Sequence, residues 1–324
     1  MQDTGRVVGI TIGDPAGIGP EITEKALHIV ASDCLGCLSI RVYGPKPICE
    51  RLARIFSICE PYPTSEDLVG IEPGKYSKAS GSASVSALSH AIAHLVSGEI
   101  EALVTGPISK LALRDAGLSY AGQTEWLQDA FKAKKVAMLL FGPRLRVALV
   151  TTHIPLSRVP KEITIEKVVT TALLLNDFLK NYLGFENPRI GVVSLNPHAS
   201  DDGMFGDEEK NLLEPAIHKL LELGIRAEGP LPADTAFYEA FHGRFDGLVS
   251  MFHDQGLPPL KLVHRDDAVN VTLGLPRLRC SPDHGPAYSI VKQGVASERS
   301  MVQALRVSIR HVLKKSSEED LPKV

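Results

Sequence analysis

Tryptophan is almost absent from this chain, aromatic residues are scarce, and neither a long apolar run nor an excess of positive charge is present. A single tryptophan and an aromatic share of 6% leave the core to aliphatic side chains. No stretch approaches the roughly 18–20 consecutive apolar residues of a membrane-spanning helix. Residues 1–6 are polar and lead straight into a strand-like segment, which is not the pattern of a signal peptide. A net charge of −3 and a pI near 6.4 give no electrostatic drive toward nucleic acid or an anionic membrane. An anionic ligand must therefore be caught by a local cluster of basic groups.

Cysteine is also sparse. Five cysteines, an odd number in a long chain, fit reduced thiols in a cytoplasm better than a disulfide framework. Cys34 and Cys37 form a C-x-x-C, with Cys49 and Cys59 following. A structural metal site would want a second close pair, and Cys49 and Cys59 are ten residues apart. A redox dithiol would want a helix N-terminus, whereas Cys34-Leu-Gly-Cys37 reads as the end of a helix. They are read as ordinary part-buried thiols.

What is present is globular. At 324 residues, with 44% hydrophobic and 23% charged residues, the chain predicts two closely coupled domains. Short β-branched runs alternate with amphipathic segments, the mark of an α/β protein. Residues 7–12 read as a buried strand, and Pro20 opens a helix as proline at a first helical position does. Further strands are expected at 102–105, 136–141, 147–151, 190–195, 247–251 and 269–272, and helices at 82–97, 166–182, 208–223 and 300–313. The serine-rich stretch 80–89 reads as a loop running into a helix, and the polar tail 314–324 as frayed.

Three of the eleven histidines share one context. Val147-Ala-Leu-Val-Thr-Thr-His153, Ile190-Gly-Val-Val-Ser-Leu-Asn-Pro-His198 and Gly247-Leu-Val-Ser-Met-Phe-His253 are each a buried strand ending in histidine. The carboxyl ends of strands in an open α/β sheet face the ligand crevice, so three such histidines can converge on one divalent ion and leave coordination open for substrate. Imidazole donors favour zinc or cobalt, with manganese and magnesium open. The flanks add polar candidates: the turn Asn196-Pro197-His198-Ala199-Ser200-Asp201-Asp202, His253-Asp254-Gln255, and Asp234, either a helix N-cap or a carboxylate at the metal acting as a base. Lys110, Lys261 and Arg279, each read in a Gly/Pro-rich loop, are candidates for binding phosphate or carboxylate. The glycine-rich Gly13-Asp-Pro-Ala-Gly-Ile-Gly-Pro-Glu21 lacks the G-x-G-x-x-G spacing and does not by itself locate a dinucleotide.

The stretches Gly13–Glu21, Thr105-Gly-Pro-Ile-Ser-Lys110, Gly122-Gln-Thr-Glu125, Thr152-His-Ile-Pro-Leu156, Leu195-Asn-Pro-His-Ala199, Gly229-Pro-Leu-Pro-Ala-Asp-Thr235, Met251-Phe-His-Asp-Gln-Gly-Leu-Pro258 and Asn270-Val-Thr-Leu-Gly-Leu-Pro-Arg-Leu-Arg279 form a set. With them the chain resembles the 4-hydroxythreonine-4-phosphate dehydrogenase family of vitamin B6 biosynthesis. They run in the family's order over nearly the whole chain. The resemblance implies a two-domain α/β/α fold like isocitrate and isopropylmalate dehydrogenases, with the active site in an interdomain cleft. The domains would be residues 1–127 plus 275–324, on the cofactor-loop side, and 128–274, on the metal and dimer side. It implies a homodimer whose site takes groups from both chains, one of the metal histidines reaching across. His153, His198 and His253 would bind the metal. Gln123, Thr124, Lys261, Asn270 and Arg279 would hold a phosphorylated substrate, with Asp234 and Lys261 close to the chemistry and Asp283-His284-Gly285 on the NAD or NADP loop.

The implied reaction oxidises 4-phosphohydroxy-L-threonine. A base removes the hydroxyl proton as hydride leaves for the nicotinamide, and the 3-oxo acid then loses carbon dioxide. A paralogue acting on D-threonate or D-erythronate 4-phosphate, or on a dihydrodiol, is an alternative within the family. A metal-dependent hydrolase or lyase without nucleotide, and a non-catalytic binding protein, are alternatives outside it. Two departures bear on the choice. Gln123 stands where the family usually has histidine, and glutamine cannot carry positive charge. The loop after Gly285 has Pro286, Ser289, Val291 and Lys292 where the family has threonine, an acidic residue, alanine and glycine. The first implies a changed phosphate affinity and pH dependence, or a substrate other than the usual one; the second implies weakened NAD preference, tolerance of NADP, or lost dehydrogenase activity.

Overall fold

The structure is a computed structural model that describes residues 6–32, 38–65, 67–118, 120 and 122–314. Cys34, Cys37 and the tail beyond residue 314 lie outside the described residues. The chain forms two compact units, Met1–Lys134 with Leu275–Val324, and Lys135–Gly274. In chain order the first unit contributes β1 (Val7–Thr11), α1 (Gly19–Val30), β2 (Ser39–Pro45), α2 (Lys46–Ile55), β3 (Cys59–Ser65), α3 (Lys78–Ser97), β4 (Ala102–Thr105), α4 (Lys110–Asp115) and α5 (Gln123–Ala130). The second unit follows with β5 (Ala137–Phe141), β6 (Arg146–Leu149), α6 (Val159–Glu162), α7 (Ile165–Asn181), β7 (Arg189–Val193), α8 (Glu214–Glu222), β8 (Arg226–Leu231), α9 (Ala233–Phe241), β9 (Gly247–Ser250), α10 (His253–His264) and β10 (Val269–Leu273). The chain then returns to the first unit for β11 (Leu278–Pro282) and α11 (Arg299–Lys314). A boundary after residue 127, as expected above, would cut through α5.

The first unit is a parallel sheet in the order β3-β2-β1-β4-β11. Helix α3 packs on β1, β2 and β3, and α11 on β4 and β11 beside α1. Aliphatic side chains such as Ile10, Ile40, Leu103, Leu95 and Leu305 fill its interior without exposure. The order reverses direction between β1 and β4, and in such sheets that switch point opens the ligand crevice at the strands' carboxyl ends. Two loops meet there. Asp14 N–H donates to the Pro107 carbonyl at 2.9 Å, and Gly106 N–H to the Thr11 carbonyl at 2.9 Å. Gly13 is left-handed, with φ of 76°, and any Cβ on it would collide with the backbone of Gly106 and Pro107. The glycine-rich loop thus uses its glycines for backbone approach.

The second unit is a mixed sheet in the order β10-β5-β6-β9-β7-β8. Strands β10, β5 and β6 pair antiparallel, whereas β6, β9, β7 and β8 run parallel. Its core gathers Leu140, Val147, Leu149, Val193, Leu248 and Phe237. The expected strands and long helices of both units are present within a few residues, while β2, β3, β8 and β11 had not been expected. Strands β3 and β8 are sheet edges; β3 carries Pro61 and Pro63, tolerated only where the missing N–H faces away from a ladder. Edge strands carry little apolar signal because one side is never covered.

The serine-rich stretch is helical throughout, not a loop. Ser77 caps α3 through a reciprocal pair, its hydroxyl accepting from Ser80 N–H and the Ser80 hydroxyl accepting from Ser77 N–H, each at 3.1 Å. The small side chains Ser80, Gly81, Ala83, Ser84 and Ala87 are all buried. Small size, rather than polarity, is what this face requires. The three described cysteines, Cys49, Cys59 and Cys280, are buried and free. Burial pushes each thiol up to about 12, so they are inert packing groups at neutral pH.

The reciprocal cap gives the first prediction. Ser77→Ala should lower unfolding stability by roughly 0.5–2 kcal/mol, the usual worth of a serine N-cap. Chemical denaturation at unchanged m-value measures it, and an unshifted midpoint would mean that the cap does not anchor α3.

Candidate active site

Three of the second unit's strands bring the histidines to one edge. Because β6, β9 and β7 are parallel neighbours, their carboxyl ends lie on the same edge of the sheet. His153 follows β6, His253 opens α10 after β9, and His198 follows β7 on a short turn. The His153 and His253 rings lie with centroids 5.5 Å apart. Two imidazoles on one tetrahedral zinc, with bonds of about 2.0–2.1 Å, place their centroids about 5 Å apart, so this pair fits a shared ion. His253 Nδ1 lies 2.6 Å from the Asp254 carboxylate. A proton on Nδ1 donated to that carboxylate leaves Nε2 as the ligating lone pair, the usual support of a metal-binding histidine. Thr152, His153, Leu156, Phe252, His253 and Asp254 line a cleft of about 240 Å³.

His198 is exposed and does not complete this pair. Among the described residues no three histidine, cysteine, aspartate or glutamate side chains form a group able to hold one ion. Its loop is unusual: His198, Ala199, Ser200, Asp201 and Asp202 are all left-handed, with φ between 45° and 71°, a region non-glycine residues adopt rarely. Glu209, a buried carboxylate, fastens the base of the loop. Its Oε1 accepts from Leu195 N–H at 2.9 Å and Asn196 N–H at 2.8 Å, and its Oε2 from Asn196 Nδ2 at 2.8 Å. Glu209 opens a π-helical turn, Glu209–Leu213, before α8. Sequence reading gave it no role, since glutamate within a helical pattern reads as solvated.

The other expected residues divide between the units. Asp234 stands exposed in the first turn of α9, where Pro232 is the N-cap; the N-cap alternative is corrected. Lys261 is not in a loop but on α10, eight residues and about 12 Å of helix rise beyond His253. Helix α10 runs through Pro258 and Pro259, which is why its sequence reads as a loop. Asn270 lies on β10 with a buried Oδ1 that has no hydrogen-bond partner among the described residues. A buried amide oxygen without a partner is costly unless a ligand supplies one.

On the first unit, Arg279 lies in strand β11 and Lys110 at the first residue of α4, again not in loops. Arg279 is 3% exposed. Its Nη2 donates to Thr105 Oγ1 at 2.6 Å and to Gln123 Oε1 at 2.7 Å. Burial lowers its guanidinium to about 10, still far enough above neutrality to keep it cationic. Thr105 ends β4 beside the switch point, and Gln123 and Thr124 open α5. A cation, a hydroxyl and the start of a helix therefore converge where a parallel sheet binds ligands.

Asp283, His284 and Gly285 follow β11, with Asp283 N–H donating to Ser300 Oγ at 3.2 Å. The loop beyond them is fastened to the glycine-rich turn. Ile18 N–H donates to the Pro286 carbonyl at 2.9 Å, and the Tyr288 hydroxyl to Asp14 Oδ2 at 2.6 Å. Burial, then this carboxylate, raises the Tyr288 hydroxyl well above its ordinary value. Beside this junction is a cavity of about 680 Å³ lined by Gly17, Glu21, Lys25, Arg51, Val291 and Lys292. Lys25 pairs with Glu21 and Arg51 with Glu24.

Residues 39–308 match the model of the family described as pyridoxal phosphate biosynthetic protein PdxA. The chain is a member of the PdxA family. Over 317 residues it is 40% identical to the 4-hydroxythreonine-4-phosphate dehydrogenase of Sulfurihydrogenibium sp. (strain YO3AOP1), covering 93% of this chain and 97% of that protein. It is 37% identical to the D-threonate 4-phosphate dehydrogenase of Salmonella typhimurium (strain LT2), over 94% of this chain and 98% of the relative. The crystal structure of 4-hydroxythreonine-4-phosphate dehydrogenase from Klebsiella pneumoniae superimposes with a TM-score of 0.80 at 33% identity, covering 95% of this chain and 99% of that one. Isocitrate dehydrogenase from Methylococcus capsulatus, 13% identical with a TM-score of 0.51 over 95% of this chain and 86% of that one, shares the fold alone. This PdxA-family chain is an oxidoreductase with the expected isocitrate dehydrogenase-like α/β fold.

Gln123 yields a prediction for this site. Gln123→Leu removes one acceptor from a buried guanidinium and should raise the KM for a phosphorylated substrate about tenfold, as loss of a charge-assisted hydrogen bond does. Gln123→His should add an imidazole's titration to the pH dependence of substrate binding, with tighter binding below about 6.5 than the native chain shows. Identical KM-versus-pH profiles for the native and histidine chains would remove Gln123 from the substrate site.

Proposed function

We propose that this chain is a metal-dependent, NAD(P)-linked dehydrogenase of 4-phosphohydroxy-L-threonine. Its product is a 3-oxo acid that loses carbon dioxide to give 3-amino-2-oxopropyl phosphate, in pyridoxal 5′-phosphate biosynthesis. The observation that carries the reading is the buried Arg279 guanidinium, held by the neutral oxygens of Thr105 and Gln123 at the sheet's switch point. A buried cation there offers charge-assisted hydrogen bonds to a phosphate, joined by Thr124 at the start of α5. On the second unit Asn270 and Lys261 are assigned to the same substrate. Asp234 is assigned the hydroxyl proton as general base, with Lys261 beside the reacting groups.

His153, His198 and His253 are assigned a divalent ion, zinc or cobalt ahead of manganese or magnesium on donor type. When bound, the ion lowers the pKa of the substrate hydroxyl and stabilises the negative charge left as carbon dioxide departs. The His153–His253 spacing supports this assignment. The separate position of His198 is consistent with a homodimer in which one ligand comes from the second copy. Asp283, His284 and Gly285 are assigned the dinucleotide, and Lys292 at the neighbouring cavity favours acceptance of NADP.

A second reading, D-threonate 4-phosphate dehydrogenase, is favoured by the Salmonella relative and by Gln123 in place of the family's histidine. Both readings keep the metal and the nucleotide and differ only in the group on the substrate's second carbon.

Chelator-treated protein assayed with both substrates, NAD and NADP, and zinc, cobalt, manganese or magnesium added back tests the proposal through reduced-nicotinamide absorbance. Activity should vanish on chelation and return with metal. Turnover of D-threonate 4-phosphate alone would install the second reading, and activity indifferent to chelation would remove the metal. Lys292→Glu should lower kcat/KM for NADP relative to NAD by about tenfold, the worth of one charge-assisted contact. An unchanged ratio would place the cofactor's 2′-phosphate elsewhere.

A further inference from the structure

We propose that Gln255 is the positioning residue of the histidine site. Its side-chain amide ties the end of β7 to the end of β9 and so fixes the loop that leads into His253, whose Met251 carbonyl in turn holds the loop that carries His153. The proposal rests on the assignment of one metal to His153, His198 and His253.

Gln255 stands two residues after His253, in the first turn of α10. Its Oε1 accepts from Met251 N–H at 2.7 Å, and its Nε2 donates to the Ser194 carbonyl at 2.6 Å. Met251 precedes His253 by two residues and Ser194 precedes His198 by four. Both are fully buried. The β7–β9 ladder ends at the Val192–Val249 pair. Beyond it the two strands part toward their histidines, and the glutamine amide supplies the next crosslink.

Strand β9 is braced on its other side through the same residue. The Met251 carbonyl accepts from Thr151 N–H at 3.1 Å and from Thr151 Oγ1 at 2.7 Å, and Thr151 precedes His153 by two residues. One buried backbone unit therefore joins all three loops, by its carbonyl to the His153 loop and by its N–H, through Gln255, to the His198 loop.

Only a primary amide serves both ends of the Gln255 crosslink. It carries one acceptor for Met251 N–H and one donor for the Ser194 carbonyl. Glutamate, of nearly the same shape, keeps the acceptor and sets its other oxygen against the carbonyl. Methionine keeps the length and makes neither bond. A metal site responds to such changes because ligands must be held to within a fraction of an ångström by groups that do not themselves touch the ion.

Cobalt(II) titration of the metal-free full-length chain, followed by the visible bands of histidine-bound cobalt, tests this on the native protein, Gln255→Glu, Gln255→Met and His253→Ala. Both Gln255 variants should bind cobalt about 10–100-fold more weakly, the usual cost of losing an outer support. Their band intensities should change and kcat should fall, with the KM for the dinucleotide held. The thermal midpoint of metal-free Gln255→Glu should fall by no more than the several degrees that one lost hydrogen bond costs. Should Gln255→Met not fold, Gln255→Glu decides, since it keeps the Met251 bond. Loss of cobalt in His253→Ala together with native affinity and spectrum in the Gln255 variants overturns the positioning role alone. Native cobalt binding in His253→Ala overturns the metal assignment, and the positioning role with it.

Discussion

Strands β6, β9 and β7 are neighbours that run in one direction, and the candidate metal site depends on that alignment. Parallel neighbours end on the same sheet edge, so residues following each strand are delivered to one place. Were β9 antiparallel, His253 would leave from the opposite edge and no ion could be shared. The alignment is enforced by the crossovers, since α7, α8 and α9 each return the chain to start the next strand from the same end. Close packing makes the return possible: a side chain on Gly247 would press against Leu175 of α7.

The first unit obeys the same rule with different chemistry. Its strand order reverses between β1 and β4, and the loops leaving those strands lock to one another by backbone hydrogen bonds. Arg279, one strand away on β11, is carried inside and held by Thr105 and Gln123. A buried guanidinium costs several kcal/mol unless hydrogen-bonded and offset by negative charge. Its hydrogen bonds to Thr105 and Gln123 and the nearby Glu125 carboxylate offset part of that cost. The candidate groups are thus divided: His153, His198 and His253 lie on one unit, and the buried cation on the other.

Much of this was legible in the residues. The strand-then-histidine runs placed His153, His198 and His253 directly after buried strands, and the structure has them there. The long helices α7 and α11 were legible through their periodicity. Helix α10 was not, because Pro258 and Pro259 imitate a loop; so Lys261 was expected off the helix that carries it. Helix α3 was hidden by its own serines, whose value in packing is their size. Glu209 gave no signal, since its importance comes from three N–H groups thirteen or fourteen positions earlier in the chain.

The sequence by itself determined the α/β class, the family, and which side chains carry donor chemistry, because each of these is local: a periodicity, a motif, an imidazole. Tertiary structure alone decided which of those donors meet. It brought His153 and His253 within one ion's reach and left His198 apart on a left-handed turn. It buried Arg279 and gave it Gln123, 156 positions away, as a partner. The physical reason is that hydrogen-bond and coordination distances of a few ångström are set by strand pairing and loop bracing. Those constraints join residues with no proximity along the chain.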